Sequence, residues 1–186
     1  MPVSDRREFL RGAGLGLLGY TVAGAQVWLT PREARAAGAD LEVLTPDEAG
    51  TLEATGEAFA PGATAAGIAW FVDAQLSRPP NDGLLMARYF NVPPPYIDFY
   101  RASLTAVDRL SEARHDKLFA ELATPAGTEL LRGLLAGDPE GWAGPPALLV
   151  YLVLRNDAVD VVYGTAEGIE SLGVPLMAHI PPPAKW

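Results

Sequence analysis

Pro145-Pro146-Ala147-Leu148-Leu149-Val150-Tyr151-Leu152-Val153-Leu154 is the stretch on which the fold turns. Two prolines open it, and eight apolar residues follow with no visible period, so periodicity alone allows a buried strand or a buried helix. A strand of this character needs neighbours to pair with, because an isolated strand or hairpin is marginal in water. The chain offers no second strand of similar character, so the run is expected to be the central helix of a bundle.

The flanking segments agree with a bundle. Thr45-Pro46-Asp47-Glu48 places a hydroxyl at the cap, proline in the first turn and Glu three residues after the cap, which predicts a helix from Pro46 to about Ala60 closed by Pro61-Gly62. Ile68, Phe71, Val72 and Leu76 then form one stripe of an amphipathic helix, with Asp73 and Ser77 on the face away from it. Ser77 to Gly83, with Pro79 and Pro80, is a loop. After Pro93-Pro94-Pro95 a long helix is expected to reach Arg114 or His115, with Ile97, Tyr100, Leu104 and Val107 along one face. Thr124-Pro125 repeats the threonine-proline start, ahead of a face made by Leu130, Leu131, Leu134 and Leu135. From Tyr163 to Trp186, glycines and prolines break any long element, and the apolar, proline-rich end suits an extended path across a hydrophobic surface. The expected architecture is all-α: an irregular bundle of about five helices with a proline-rich extended C-terminal tail.

Composition narrows the function. The 186 residues suit one domain, and 49% hydrophobic residues suffice for a core. Zero cysteines exclude disulfides, thiolate metal sites, c-type haem attachment and a cysteine nucleophile, and two histidines argue against a metal enzyme or a Ser-His catalyst. A net charge of −9 argues against nonspecific binding to nucleic acid. No G-x-G-x-x-G or G-x-x-x-x-G-K-[ST] phosphate cradle follows a strand.

At the front, Ser4-Asp5-Arg6-Arg7-Glu8-Phe9-Leu10-Arg11 resembles a twin-arginine export signal, carried by Arg6, Arg7, Phe9 and Leu10. Gly12 to Pro31 holds no charge and is diluted by glycine, and small-residue frames for cleavage follow after Ala36 and after Ala39. The expected organisation is a signal peptide over residues 1–36 and a single helical domain over 37–186, with 163–186 as its tail. Removal of 1–36 takes five bases and three acids, moving the charge from −9 to −11. The alternative is an uncleaved anchor, since twenty uncharged residues are about the length that crosses a bilayer. A folded-state export route is used most often for cofactor-loaded cargo, yet the chain lacks the usual means of holding a cofactor. A second, loaded protein travelling with it resolves the mismatch.

The twin-arginine start, Phe71-Val72-Asp73-Ala74-Gln75-Leu76, the Tyr96 to Arg114 helix, and Leu154-Arg155-Asn156-Asp157 leading to Asp160-Val161-Val162-Tyr163-Gly164-Thr165 together resemble the gluconate 2-dehydrogenase subunit 3 family. Thr165-Ala166-Glu167 departs from the second glycine and the asparagine that many members carry there. The resemblance implies a non-catalytic small subunit that carries the export signal for an FAD-containing large subunit acting on a sugar, sugar acid or polyol in the periplasm, with a multihaem cytochrome c as the usual electron acceptor. Tyr96, Phe99, Tyr100, Tyr163, Met177, His179 and Trp186 are the candidate partner contacts, because aromatic and proline-rich surfaces bind with little entropy loss. Two other readings compete: a stand-alone exported enzyme using carboxylates or His115, and a membrane-anchored helical scaffold. His115 beside Asp116 fits a solvated helix end better than a proton shuttle. Asn156, Asp157 and Asp160 lack cation-loop spacing and point to a structural role.

Overall fold

The computed structural model describes residues 16–173, so the export residues Arg6, Arg7, Phe9 and Leu10 and the tail residues Met177, His179 and Trp186 lie outside it. Within it the chain is mostly helical, with nine α-helices among the described residues and a two-stranded hairpin. The five expected helices are α2 (Pro46–Phe59), α4 (Ile68–Leu76), α6 (Tyr96–His115), α7 (Thr124–Gly133) and α8 (Ala147–Tyr163). Four short ones join them: α1 (Pro31–Ala36), α3 (Ala63–Ala66), α5 (Met86–Tyr89) and α9 (Ala166–Ser171). These span only one or two turns, too short to leave a 3.6-residue period in the sequence.

The apolar run is indeed the central helix. α8 packs against α2, α3, α4, α5 and α9, and its buried positions Val150, Val153, Leu154, Asp157, Ala158 and Val161 form a helical stripe. Leu148, Leu149, Tyr151 and Leu152 are apolar but outside that stripe, which is why no period shows in the run itself. α2 starts on the expected capping box: the Glu48 amide donates to Thr45 Oγ1 at 3.2 Å, and the Thr45 amide donates to Glu48 Oε2 at 2.8 Å. α6 runs to His115, where Asp116 closes it in the left-handed conformation.

Two clusters make the main core. One gathers Leu52, Ile68, Val72, Leu85, Tyr100, Leu104 and Leu154 around α8. The other joins Val107 and Leu110 of α6 to Phe119, Leu130, Leu131 and Leu134. Leu135, expected on the same face, points outward because the chain tightens into a 3-10 turn over Leu134–Ala136.

Two expectations need correction, and one segment has a structure that the sequence reading did not describe. Asp73 does not face solvent but is buried. The stretch after Tyr163 is not extended throughout, since Thr165 caps the short helix α9 by accepting from the Gly168 amide at 3.0 Å. Within residues 1–36, the span expected as the signal peptide, residues 18–29 form the hairpin β1 (Leu18–Val22) and β2 (Ala25–Leu29), paired antiparallel with Leu18 opposite Leu29. Its two-residue turn uses Ala23 and Gly24, both at positive φ, as a tight hairpin requires.

Candidate functional site

The interior of the bundle holds several carboxylates, and each has a mechanical task. Asp73 on α4 accepts from the amides of Glu42, Val43 and Leu44 at 2.9, 2.9 and 2.8 Å, fixing the strap that leads into α2. Asp108 on α6 accepts from the Thr51 hydroxyl of α2 at 2.9 Å and from the Phe119 amide at 3.0 Å. At the surface, the exposed Asp138 likewise accepts from the Ala147 amide at 2.7 Å, at the start of α8. Buried backbone donors need partners, and a carboxylate supplies strong ones.

Asp157 is the deepest of these groups. The Tyr100 hydroxyl donates to its Oδ2 at 2.5 Å, and the Met86 amide donates to its Oδ1 at 2.9 Å. Both side chains are fully buried, Asp157 and Tyr100 each at 0% exposure. Burial pushes the Asp157 carboxyl up to about 7, against the pull of its two donors, and burial likewise raises the Tyr100 hydroxyl well above its ordinary value. A raised carboxyl in an enzyme would mark a catalytic acid. Here both carboxylate oxygens are engaged, and neither Asp157 nor Tyr100 lines the groove beside α2 and α7. The pair therefore acts as a lock joining α8, α6 and α5.

What the lock positions is the segment from Ser77 to Pro95. Its first half is fixed by Gln75, whose Oε1 accepts from the Leu84 amide at 2.9 Å, and its second half by Asp157 through Met86. Leu85 and Ala87 turn inward, which leaves Leu84 and Tyr89 outward at 55% and 58% exposure. Arg88 ties the two ends together, donating to the Gly83 carbonyl at 3.2 Å while its guanidinium sits 5.8 Å from the centre of the Tyr89 ring. The result is a fixed platform with two large apolar side chains and one cation on its surface. Such rigid anchors lose little entropy on binding a partner.

The expected contact residues divide. Tyr100 and Phe99 are buried, Tyr100 completely, and they pack edge to face with ring centres 5.8 Å apart, so they hold the core. Tyr96 and Tyr163 are partly buried against the same cluster. Leu84 and Tyr89 are not legible in the sequence because the link after Gly83 and the single turn of α5 are too short to carry a period from which exposure can be judged. His115 is exposed at the end of α6, beside Arg114, where a basic group suits the helix dipole.

One groove of about 300 Å³ lies between α2, α7 and the Phe119 turn. Its two carboxylates are already engaged: Glu57 accepts from the amides of Gly62 and Thr64 at 2.8 and 3.1 Å, and Glu53 pairs with Arg35 at 2.8 Å. Among the described residues no group of three or more histidine, aspartate or glutamate side chains is arranged to hold a metal ion, and no helix is long and apolar enough to cross a membrane.

No curated protein and no solved structure matches the chain. The family model described as gluconate 2-dehydrogenase subunit 3 matches residues 33–175, from α1 through α9. The chain belongs to the gluconate 2-dehydrogenase subunit 3 family, whose members are subunits of a dehydrogenase complex.

Proposed function

We propose that this chain is the non-catalytic small subunit of a periplasmic dehydrogenase, and that it binds and stabilises a large subunit that carries FAD and oxidises a sugar, sugar acid or polyol. The observation that carries the reading is the family match over residues 33–175. The buried carboxylates support it, because they are committed to holding loops in place. A multihaem cytochrome c is the expected electron acceptor of the complex. Preferential binding to the folded flavoprotein would shift its folding equilibrium by mass action, which is how a small subunit can be needed for a larger one to mature.

The platform of Leu84, Arg88 and Tyr89 is the proposed docking centre, with Tyr96, Tyr163 and the tail residues Met177, His179 and Trp186 as further contacts. Leu84→Asp combined with Tyr89→Asp is expected to weaken capture of the large subunit by roughly 100-fold, the scale of losing two interface anchors, while the melting temperature stays within a few degrees of the parent. Equal capture by parent and variant in a pull-down titration would move the docking centre elsewhere.

Export is proposed to follow the twin-arginine route through Arg6 and Arg7, with Phe9 and Leu10 completing the motif. Replacing both arginines by lysine is expected to leave the small subunit and its flavoprotein together in the cytoplasm. Fractionation followed by blotting of both chains checks this, and undiminished periplasmic flavoprotein would contradict it.

A further inference from the structure

Ala34-Arg35-Ala36 and Ala37-Gly38-Ala39 are the two frames in which a signal peptidase could cut. Such an enzyme takes its substrate as an extended strand and seats the side chains one and three residues before the cut in small pockets. In the fold, each frame has one of those two alanines buried: Ala34 at 0% exposure in the first and Ala39 at 5% in the second.

The backbone of the first frame is helical, that of the second is a turn, and both are tied down. α1 begins on its own capping box, in which the Glu33 amide donates to Thr30 Oγ1 at 3.2 Å and the Thr30 amide donates to Glu33 Oε2 at 2.8 Å. Ala39 is held from both sides, its amide donating to the Ala34 carbonyl and its carbonyl accepting from Trp70 Nε1, each at 2.9 Å. The next amide, Asp40, donates to the Thr21 carbonyl of β1 at 2.9 Å. The Tyr20 hydroxyl donates to the Trp70 carbonyl at 3.2 Å. Leu18, Tyr20, Ala34, Ala39 and Ala74 form a third buried cluster, covered by Trp70 and Phe71. Gly67, at φ +83, admits the Pro31 carbonyl so closely that a Cβ would lie 2.2 Å from the oxygen, so α1 sits directly on the backbone ahead of α4. The family match starts at Glu33, upstream of both cuts.

From these contacts we infer that both cleavage frames are closed in the folded subunit and that the hairpin and α1 are retained as part of its body. The exported chain then keeps Arg32, Glu33 and Arg35 together with the hairpin. The export setting rests on the function proposed above; the closure of the frames rests on the fold alone.

Elastase, which cuts after alanine, tests closure without any export machinery. With the purified full-length chain, cleavage after Ala36 and after Ala39 is expected to be roughly 100-fold slower than in the same chain unfolded in urea, because cutting requires local opening. A stable fragment starting at Ala37 or Asp40, released from the native chain as fast as from the unfolded one, would overturn the inference. The intact mass of the chain recovered from the periplasm is expected to include Leu18 and everything after it, and a start at Ala37 or Asp40 there would overturn retention. A chain confined to the cytoplasm counts against the export reading, while the elastase result still decides closure.

Discussion

Asp73→Ala is expected to lower the unfolding free energy by about 3–4 kcal/mol. The carboxylate is buried and accepts three consecutive amides, those of Glu42, Val43 and Leu44. Hydrogen bonds to a charged acceptor contribute about 1.5–3 kcal/mol each, and a buried donor left without a partner costs about 1–3 kcal/mol. Leu44 is buried with its amide, whereas Glu42 is exposed and its amide can turn to water, so the full threefold loss is not reached. The strap that Asp73 fixes feeds directly into the α2 capping box, so the start of that helix loosens with it. Asp73→Asn keeps an oxygen where Val43 and Leu44 donate and is expected to cost about half as much. Urea denaturation checks both, and a loss below about 1 kcal/mol for the alanine variant would show that the strap is held by something else.

The second large effect is at Asp157. Removing its carboxyl by Asp157→Ala leaves the Tyr100 hydroxyl and the Met86 amide without their acceptor inside the core and opens a void, a loss of about 3–5 kcal/mol. Asp157→Asn preserves shape, with the amide oxygen still facing Met86, and is expected to stay within about 2 kcal/mol of the parent. The pH dependence isolates the Asp157 carboxyl more cleanly. Burial lifts the Asp157 carboxyl from its ordinary 3.8 to about 7 in the folded state. The folded chain therefore binds a proton here that the unfolded chain has already released, so this group's contribution is full below about pH 4 and is lost as the pH rises through about 7. Asp108 and Asp160 are also raised by burial and slope the same way, so the informative quantity is the difference between parent and Asp157→Asn. The parent is expected to lose more thermal stability than the asparagine variant between pH 5 and pH 8. Parallel profiles would mean that Asp157 is ionised throughout, stabilised by its two donors.

How much of this was legible in the sequence follows from how local each signal is. The Thr45-Glu48 capping box and the amphipathic face of α6 are contained in a few residues and appear where their patterns place them. Within 147–154 the helical period is hidden because the outer face is apolar too, and it emerges only when the stripe is followed to Asp157, Ala158 and Val161. The hairpin alternates Leu18, Tyr20 and Val22 around Gly19 and Thr21, a period of two that a search for an uncharged leader passes over. Asp73 reads as solvent-facing in the sequence because its partners, about thirty residues earlier in the chain, are backbone amides that carry no sequence signature. The surface of Leu84 and Tyr89 depends on anchors at Gln75 and Asp157, neither of them adjacent in sequence. The interior carboxylates are thus readable as acids from sequence, but their tasks are set by packing.

The most direct test of the central claim is to purify this chain under native conditions from the exported fraction and record what accompanies it. A larger polypeptide in fixed proportion, bringing flavin absorbance and sugar-oxidising turnover that both vanish when the small subunit is isolated, is the predicted result. Recovery of the 186-residue chain by itself, with its own turnover or its own tightly held prosthetic group, would contradict it.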